Sequence, residues 1–201
     1  MSKLPFSFYQ DHDVNTLALQ LLGKRLFTQI NGQVTGGIIV ETEAYKGVED
    51  KASHAYGGRF TDRTKVMYEN GGLSYVYLCY GIHHLFNVVT GPEATPHAVL
   101  IRGLEPLTGL ELMMERRGMS VLKPNITAGP GALAKALGID RLLNAKDLTG
   151  EEIWIEEALP DWSMSEVVAG PRIGVDYAGD HALLPWRYYV KGNKYVSKPR
   201  S

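Results

Sequence analysis

Gly36-Gly-Ile-Ile-Val-Glu-Thr-Glu-Ala-Tyr45 opens on two glycines, passes through a β-branched apolar run and ends on two carboxylates and a tyrosine. The apolar run predicts a buried strand. Side chains alternate along a strand, so Glu41, Glu43 and Tyr45 share one face and Thr42 and Ala44 the other. A carboxylate buried beside a core strand is costly unless it is paired, hydrogen-bonded or used. Two on one face mark a candidate site. The plainer alternative is an exposed strand end whose acids form salt bridges.

Working outward, Leu26–Ile30 pairs with this strand around the turn Asn31-Gly32. Asp13 caps a helix over Val14–Leu22, stopped by Gly23. Residues from Gly47 to about Val66 read as a long polar loop, of the kind that carries function or moves. Leu73–Tyr80 and His84–Thr90 form a hairpin with Tyr80-Gly81-Ile82-His83 near its tip. His97–Leu104 is a further strand. Thr108-Gly-Leu-Glu111 reads as a capping box opening a helix to about Arg117. Pro130 starts a short helix over Gly131–Leu137, stopped by Gly138. Ile153–Glu156 and Trp186–Lys191 are late strands. Strands outnumber helices and are joined mostly by hairpins and loops. The expected fold is α+β, a single compact domain over residues 1–201 around a curved, mostly antiparallel sheet with a protruding β-hairpin.

Composition fits this reading. The chain has 201 residues, 44% hydrophobic and 21% charged, enough for one well-packed core. A single cysteine, Cys79, excludes a disulfide framework, a thiolate zinc site or an iron–sulfur cluster within one chain, which suits a reducing cytoplasm. Met1-Ser-Lys-Leu-Pro5 has no signal-peptide core, and no apolar run reaches membrane-spanning length. Net charge is −1, but it is polarised. Residues 151–166 hold Glu151, Glu152, Glu156, Glu157, Asp161 and Glu166 without a base. The C-terminal stretch holds Arg187, Lys191, Lys194, Lys198 and Arg200 without an acid. Arg59, Arg63 and Lys65 form a smaller basic group, diluted by Asp62. Each of these groups could equally be solvated surface.

Tyr75-Val-Tyr-Leu-Cys-Tyr80 supplies three aromatics within six residues. Tyr75 and Tyr77 share a face with Cys79, whereas Tyr80 has the other parity and sits at the turn. Tyr75 suits a core. Tyr80 has little core to fill there and suits insertion into something, a base stack being one candidate. His54 lies before Gly57-Gly58 in the polar loop, where it could orient a ligand or cap a turn. No His-x-His or His-x-x-x-His pair exists, and His83-His84 point to opposite faces of a strand, so a metal site is weakly supported. Arg102 is a lone charge on the apolar run Val99-Leu-Ile-Arg-Gly103. Its options are Glu41, Glu43, Glu105 or a phosphate.

Several blocks in order resemble the alkyladenine, or 3-methyladenine, DNA glycosylase family: Val40-Glu-Thr-Glu-Ala-Tyr45, Tyr75-Val-Tyr-Leu-Cys-Tyr-Gly81 followed by Asn87, Leu100-Ile-Arg-Gly-Leu-Glu-Pro106, and Gly129-Pro-Gly131. The resemblance runs from Leu21 to Gly192. It implies a mixed α/β domain around a curved antiparallel sheet, without metal or cofactor, acting as a monomer in the bacterial cytoplasm on double-stranded DNA containing damaged purines. It implies that Glu43 is the general base for water, and that Tyr45, His54 and Tyr77 line the pocket for a flipped base. Asn87 would lie at the pocket floor, and Ile173 in its lining. Tyr80 would fill the gap in the stack, Arg102 would hold a phosphate, and Met67 would contact DNA. In two places the chain departs from the family pattern. Ala132 stands where a lysine would be expected after Gly131, and Asp62 places an acid in a DNA-facing loop.

The chemistry that follows is hydrolysis of an N-glycosidic bond at 3-methyladenine, 7-methylguanine or hypoxanthine, without strand cleavage because no lysine nucleophile is evident. Two rivals stay open: a non-catalytic nucleic-acid-binding module, which leaves Glu43 unemployed, and a hydrolase of free nucleosides, which leaves Tyr80 unexplained.

Overall fold

The computed structural model describes residues 2–10, 13–163 and 165–198. Arg200, read above as part of the basic C-terminal stretch, lies outside the described residues. The organising element is the long strand β2 (Gln33–Lys46). Along one edge it pairs antiparallel with β5 (His97–Thr108). Along the other it pairs first with β1 (Arg25–Ile30) and then, over Glu41–Glu43, with β8 (Arg187–Val190). β3 (Ser74–Cys79) and β4 (His83–Thr90) continue the sheet beyond β5, giving the order β3-β4-β5-β2-β1-β6, with β6 (Ile153–Glu156) at the far side. β7 (Val167–Gly170) borders β8. All these pairings are antiparallel, and the α+β expectation holds.

The two glycines that open β2 have a steric role. A Cβ on Gly36 would lie 2.1 Å from Phe27 Cδ1, and one on Gly37 would lie 2.2 Å from Leu104 Cδ2. Only hydrogen fits where these neighbours close over the strand. β1 returns to β2 through Asn31 and Gly32 at φ 52° and 76°, the left-handed pair of a type I′ turn. Beyond the glycines, Ile38, Ile39 and Val40 enter the main apolar core with Leu26, Phe86, Val99, Ile101 and Leu104. Each such buried side chain contributes about 1.5–3 kcal/mol.

α1 (Val14–Gln20) is capped by Asp13, whose carboxylate accepts from the amides of Asn15 and Thr16. It lies against β2, and the Thr42 hydroxyl donates to the Ala18 carbonyl at 2.9 Å. α3 (Pro130–Leu137) buries Leu133, Ala134, Ala136 and Leu137 against β4 and β5. Its start rests on the tip end of the β3–β4 hairpin, where a Cβ on Gly131 would meet the His83 ring.

Several local expectations need correction. The capping box at Thr108 does not form: Thr108 ends β5, and α2 (Leu110–Arg117) starts after Gly109, which has φ 71° and no side-chain cap. Tertiary pairing with β2 at Gly36 carries β5 past the local helix signal. β2 begins three residues before Gly36, and β7 has no counterpart in the sequence pattern, its four residues being too short and mixed for a periodicity signal. The polar loop after Gly47 contains two 3₁₀ turns, Tyr56–Gly58 and Lys65–Tyr68.

The charge segregation along the chain disappears in space. Glu151, Glu152, Glu156, Glu157 and Glu166 pair with Lys3, Lys146, Arg25, Lys24 and Lys191. Arg187 is 3% exposed and pairs with Glu41. Among the described residues the C-terminal run is therefore no continuous basic face.

Candidate active site

The site is built where β2 changes partner. Ile39 pairs with Leu104, Glu41 with Gly103 and Thr42 with Ile101. Val40 on β2 and Arg102 on β5 are thus the extra residues of two successive irregularities, and such bulges re-aim side chains. Here they bring Arg102 to both acids: Nε lies 3.1 Å from Glu41 Oε1, and Nη1 lies 3.3 Å from Glu43 Oε2. Of the four options read for Arg102, the two β2 carboxylates hold it. Glu105 instead accepts from Asn193. The Gly129-Pro-Gly131 block locks the same place, since the Gly129 amide donates to the Arg102 carbonyl at 2.9 Å.

The two carboxylates have different surroundings. Glu41 is fully buried and accepts from Arg102, from Arg187 Nε at 2.7 Å, and from the Ser197 amide and hydroxyl at 2.7 and 2.8 Å. Burial alone would raise its pKa, but Arg102, the Ser197 amide and Arg187 outweigh burial and hold it below the usual carboxylate value. Both of its oxygens are spoken for within the core. Glu43 is also fully buried, but its partners belong to a cavity wall: the Tyr45 hydroxyl donates to Oε2 at 2.8 Å and the Ile173 amide to Oε1 at 2.7 Å. Burial keeps Tyr45 protonated well beyond the ordinary phenol range, and the Glu43 charge adds to this, so the hydroxyl stays a donor. Arg102 is held above its usual range because Glu43 and Glu41 overcome the penalty of burial.

That wall closes a cavity of about 360 Å³, lined among others by Tyr45, His54, Met67, Tyr77, Asn87 and Ile173. Its size suits a small flat ligand. Glu43 does not itself line it. The carboxylate sits immediately behind Tyr45, Arg102 and Ile173, which do. The His54 and Tyr77 rings meet edge to face at 4.7 Å, and the Tyr75 and Tyr77 rings lie 5.3 Å apart. Asn87 is 3% exposed and fixed by donation from Nδ2 to the Tyr75 carbonyl at 3.0 Å. Met67 is 1% exposed, packed in an apolar cluster with Tyr75 and Val89, and also lines the cavity.

His54 is held neutral. Burial, with Arg63 and then Arg59 adding, lowers its pKa from 6.5 to about 4. Arg63 can only donate, so its bond of 3.0 Å to His54 Nε2 makes that nitrogen an acceptor and leaves Nδ1–H to donate to the Tyr75 hydroxyl at 2.8 Å. A neutral ring does not repel a cationic ligand. The sign for stability follows. The unfolded chain takes up a proton at His54 near pH 6.5 and the folded chain near pH 4, so stability falls as pH drops between them. Glu41 and Asp50, both with lowered values, add a further loss at lower pH, as it falls through their folded values. His54→Gln is expected to remove only the upper part of the loss, on the order of 2–3 kcal/mol. Chemical denaturation at pH 7, 5.5 and 4.5 measures it. Equal slopes for both proteins would contradict the assignment.

Tyr80 stands apart from the cavity floor. It and Gly81 have φ 50° and 74°, and the Ile82 amide donates to the Cys79 carbonyl at 3.1 Å. The tight turn leaves Tyr80 89%, Ile82 71% and Leu78 39% exposed, an apolar tip at the cavity rim. Asp62 pairs with Lys65 at the surface.

Several site residues escaped the sequence reading. Arg187 and Ser197 complete the Glu41 cage, Arg63 bridges His54 and the Tyr77 ring (4.6 Å to its centroid), and Tyr177 lines the cavity. Arg187, between Trp186 and Tyr188 in an apolar strand, carried the one usable signal. Among the described residues no three His, Cys, Asp or Glu side chains gather as a metal site would require.

Comparisons with known proteins identify the family. A family profile described as methylpurine-DNA glycosylase matches residues 7–194. A protein of Chlamydia felis (strain Fe/C-56) is 46% identical over 95% of this chain and 97% of its own length. One from Desulfitobacterium hafniense (strain Y51) is 45% identical over 98% of this chain and 99% of its own, and one from Bacillus cereus (strain G9842) 46% over 96% and 98%. All three names carry the words 3-methyladenine DNA glycosylase. With this coverage and identity, the chain belongs to the methylpurine-DNA glycosylase family.

Proposed function

We propose that the protein is a monofunctional base-excision glycosylase: it flips an alkylated or deaminated purine out of duplex DNA and hydrolyses its N-glycosidic bond with water activated by Glu43. The observation that carries this reading is the buried Glu43 carboxylate, fixed by Tyr45, Ile173 and Arg102 directly behind an aromatic cavity. The substrates are 3-methyladenine, 7-methylguanine and hypoxanthine, and the protein acts as a monomer and a single domain in the bacterial cytoplasm, at the nucleoid when bound to DNA.

Extraction of a base costs a few kcal/mol, least at damaged or mismatched pairs. Stacking on aromatic walls returns about 1–3 kcal/mol per base. A cationic alkylpurine gains about 1–2 kcal/mol more against electron-rich rings, and neutral His54 does not oppose it. Asn87 at the floor excludes the exocyclic amino group of guanine. Water reaches Glu43 between the Tyr45 hydroxyl, Arg102 and Ile173. Its oxygen bonds to the sugar carbon, its proton passes to Glu43, and the bonding pair leaves with the base. A cationic base leaves neutral, whereas hypoxanthine must also gain a proton. The negative charge of Glu43 faces the positive charge building on the sugar. The ion pairs of Arg102 favour a role as charge partner of Glu43, with a neighbouring phosphate as a further contact.

The exposed tip distinguishes this reading from hydrolysis of free nucleosides, which needs no wedge. Tyr80→Ser is expected to lower the flipped population by about three- to tenfold, read with a fluorescent base analogue beside the lesion, with a smaller loss at a mismatch. Melting should change little, because the side chain fills no core. Unchanged flipping would remove the wedge, and release from free nucleosides with none from duplex DNA would overturn the duplex reading.

A further inference from the structure

Beside the cavity lies a further buried ion pair. Arg172 and Asp50 are fully buried at their side chains and meet through the two terminal guanidinium nitrogens, Nη2 to Oδ1 at 2.8 Å and Nη1 to Oδ2. Arg172 Nη1 also donates to the Ala44 carbonyl at 2.9 Å and Nη2 to the His181 carbonyl at 3.0 Å. The guanidinium lies 4.8 Å from the Tyr45 ring centroid and 5.1 Å from that of Trp186. Asp50 is itself fixed by the amides of Lys46 and Ala52.

Two of these contacts and the chain neighbour of Arg172 converge on Glu43. Ala44 is the peptide between Glu43 and Tyr45. Tyr45 donates to Glu43 Oε2, and Ile173, the residue after Arg172, donates its amide to Oε1. The stability of the fold is poorly served by the pair. A buried salt bridge rarely exceeds a well-packed apolar replacement, and Arg172 Nε is buried without a hydrogen-bond partner. Placement is what the pair supplies.

We propose that Arg172, clamped by Asp50, is a positioning residue: it fastens the segment at Ile173 to β2 and backs the Tyr45 ring, so that both Glu43 oxygens are held in the orientation from which the carboxylate accepts a proton from water. The proposal rests on the reading of Glu43 as general base given above. Neither Arg172 nor Asp50 touches the reacting atoms. Their effect is on the rate of the chemical step and not on capture of DNA bearing an abasic analogue, because such a duplex places no base against Tyr45 and Ile173, and the wedge Tyr80 is anchored elsewhere.

The test separates these quantities. Arg172→Lys keeps the charge against Asp50 and loses the fork that also reaches Ala44 and His181. Single-turnover excision from a hypoxanthine duplex should fall at least tenfold, while Kd for a duplex carrying a non-cleavable abasic analogue stays within threefold and melting remains cooperative. Asp50→Asn, nearly isosteric, should show the same split, and carries the test if Arg172→Lys does not fold. A rate within threefold of wild type in a folded variant would overturn the proposal, as would equal losses in rate and Kd, or failure of both variants to fold. Wild type and Glu43→Gln run beside them identify which reading fails. A silent wild type removes the glycosylase reading, and an active Glu43→Gln removes the base. An active wild type with a silent Glu43→Gln and an unimpaired Arg172→Lys removes this inference alone.

Discussion

Glu43→Gln is expected to abolish base release while leaving the fold and lesion binding intact. The amide keeps the shape of the side chain and an oxygen for the Ile173 N–H, but it cannot take a proton from water, and it presents no charge to the sugar. Positioned general bases contribute about 10²–10⁴-fold, and loss of the counter-charge adds to this. Single-turnover excision should therefore fall by at least about 10²-fold, roughly 2.7 kcal/mol of barrier. Binding to lesion DNA should hold, because the cavity walls are unchanged. A rate within about tenfold of wild type, about 1.4 kcal/mol, would show that Glu43 is not the base. Glu41 is a poor substitute, since its oxygens are caged by Arg102, Arg187 and Ser197 away from the cavity.

Arg102→Met should have the largest effect on stability. Arg102 is 6% exposed and is the cation between two fully buried carboxylates. Glu41 keeps Arg187, but Glu43 loses its only salt-bridge partner among the described residues. Removing one partner of a buried ion pair costs about 3–5 kcal/mol, because the remaining charge stays buried. For a chain of this length that lowers Tm by about 6–20 °C. The deficit should shrink on acidification, because Arg102 helps to hold Glu41 below the usual carboxylate value and that contribution is lost as pH falls through the folded value. A variant melting within about 2 °C of wild type at pH 7 would show that solvent or another group compensates the charge.

Much of the site was legible because it lies on regular strands. Alternation put Glu41, Glu43 and Tyr45 on one face, where Tyr45 lines the cavity and Arg102 meets both acids. Parity separated Tyr80 from Tyr77, and the turn at Tyr80-Gly81 thrusts one outward while the other lines the cavity. What alternation could not show is the irregularity at Val40 and Arg102 that turns a lone arginine toward both acids, because register shifts depend on two strands at once. The cage around Glu41 draws on Arg187 and Ser197, 146 and 156 residues away in sequence. Such contacts leave no local pattern. The same holds for Asp50 and Arg172, which lie on the segments after β2 and β7 and meet only in the folded chain. The failed capping box at Thr108 is the converse case, a sound local signal overridden by strand pairing.

The central claim is hydrolysis of a glycosidic bond in duplex DNA by water, and the product set from one duplex carrying a single hypoxanthine tests it most directly. Excess enzyme is incubated with the duplex, with and without borohydride, and free base, strand integrity and any covalent enzyme–DNA adduct are scored together. The account predicts one hypoxanthine released per lesion, a strand that stays whole until alkali is added, and no trapped adduct. Binding of the duplex without released base would contradict it, and base release accompanied by an adduct would replace the Glu43-activated water with an amine nucleophile.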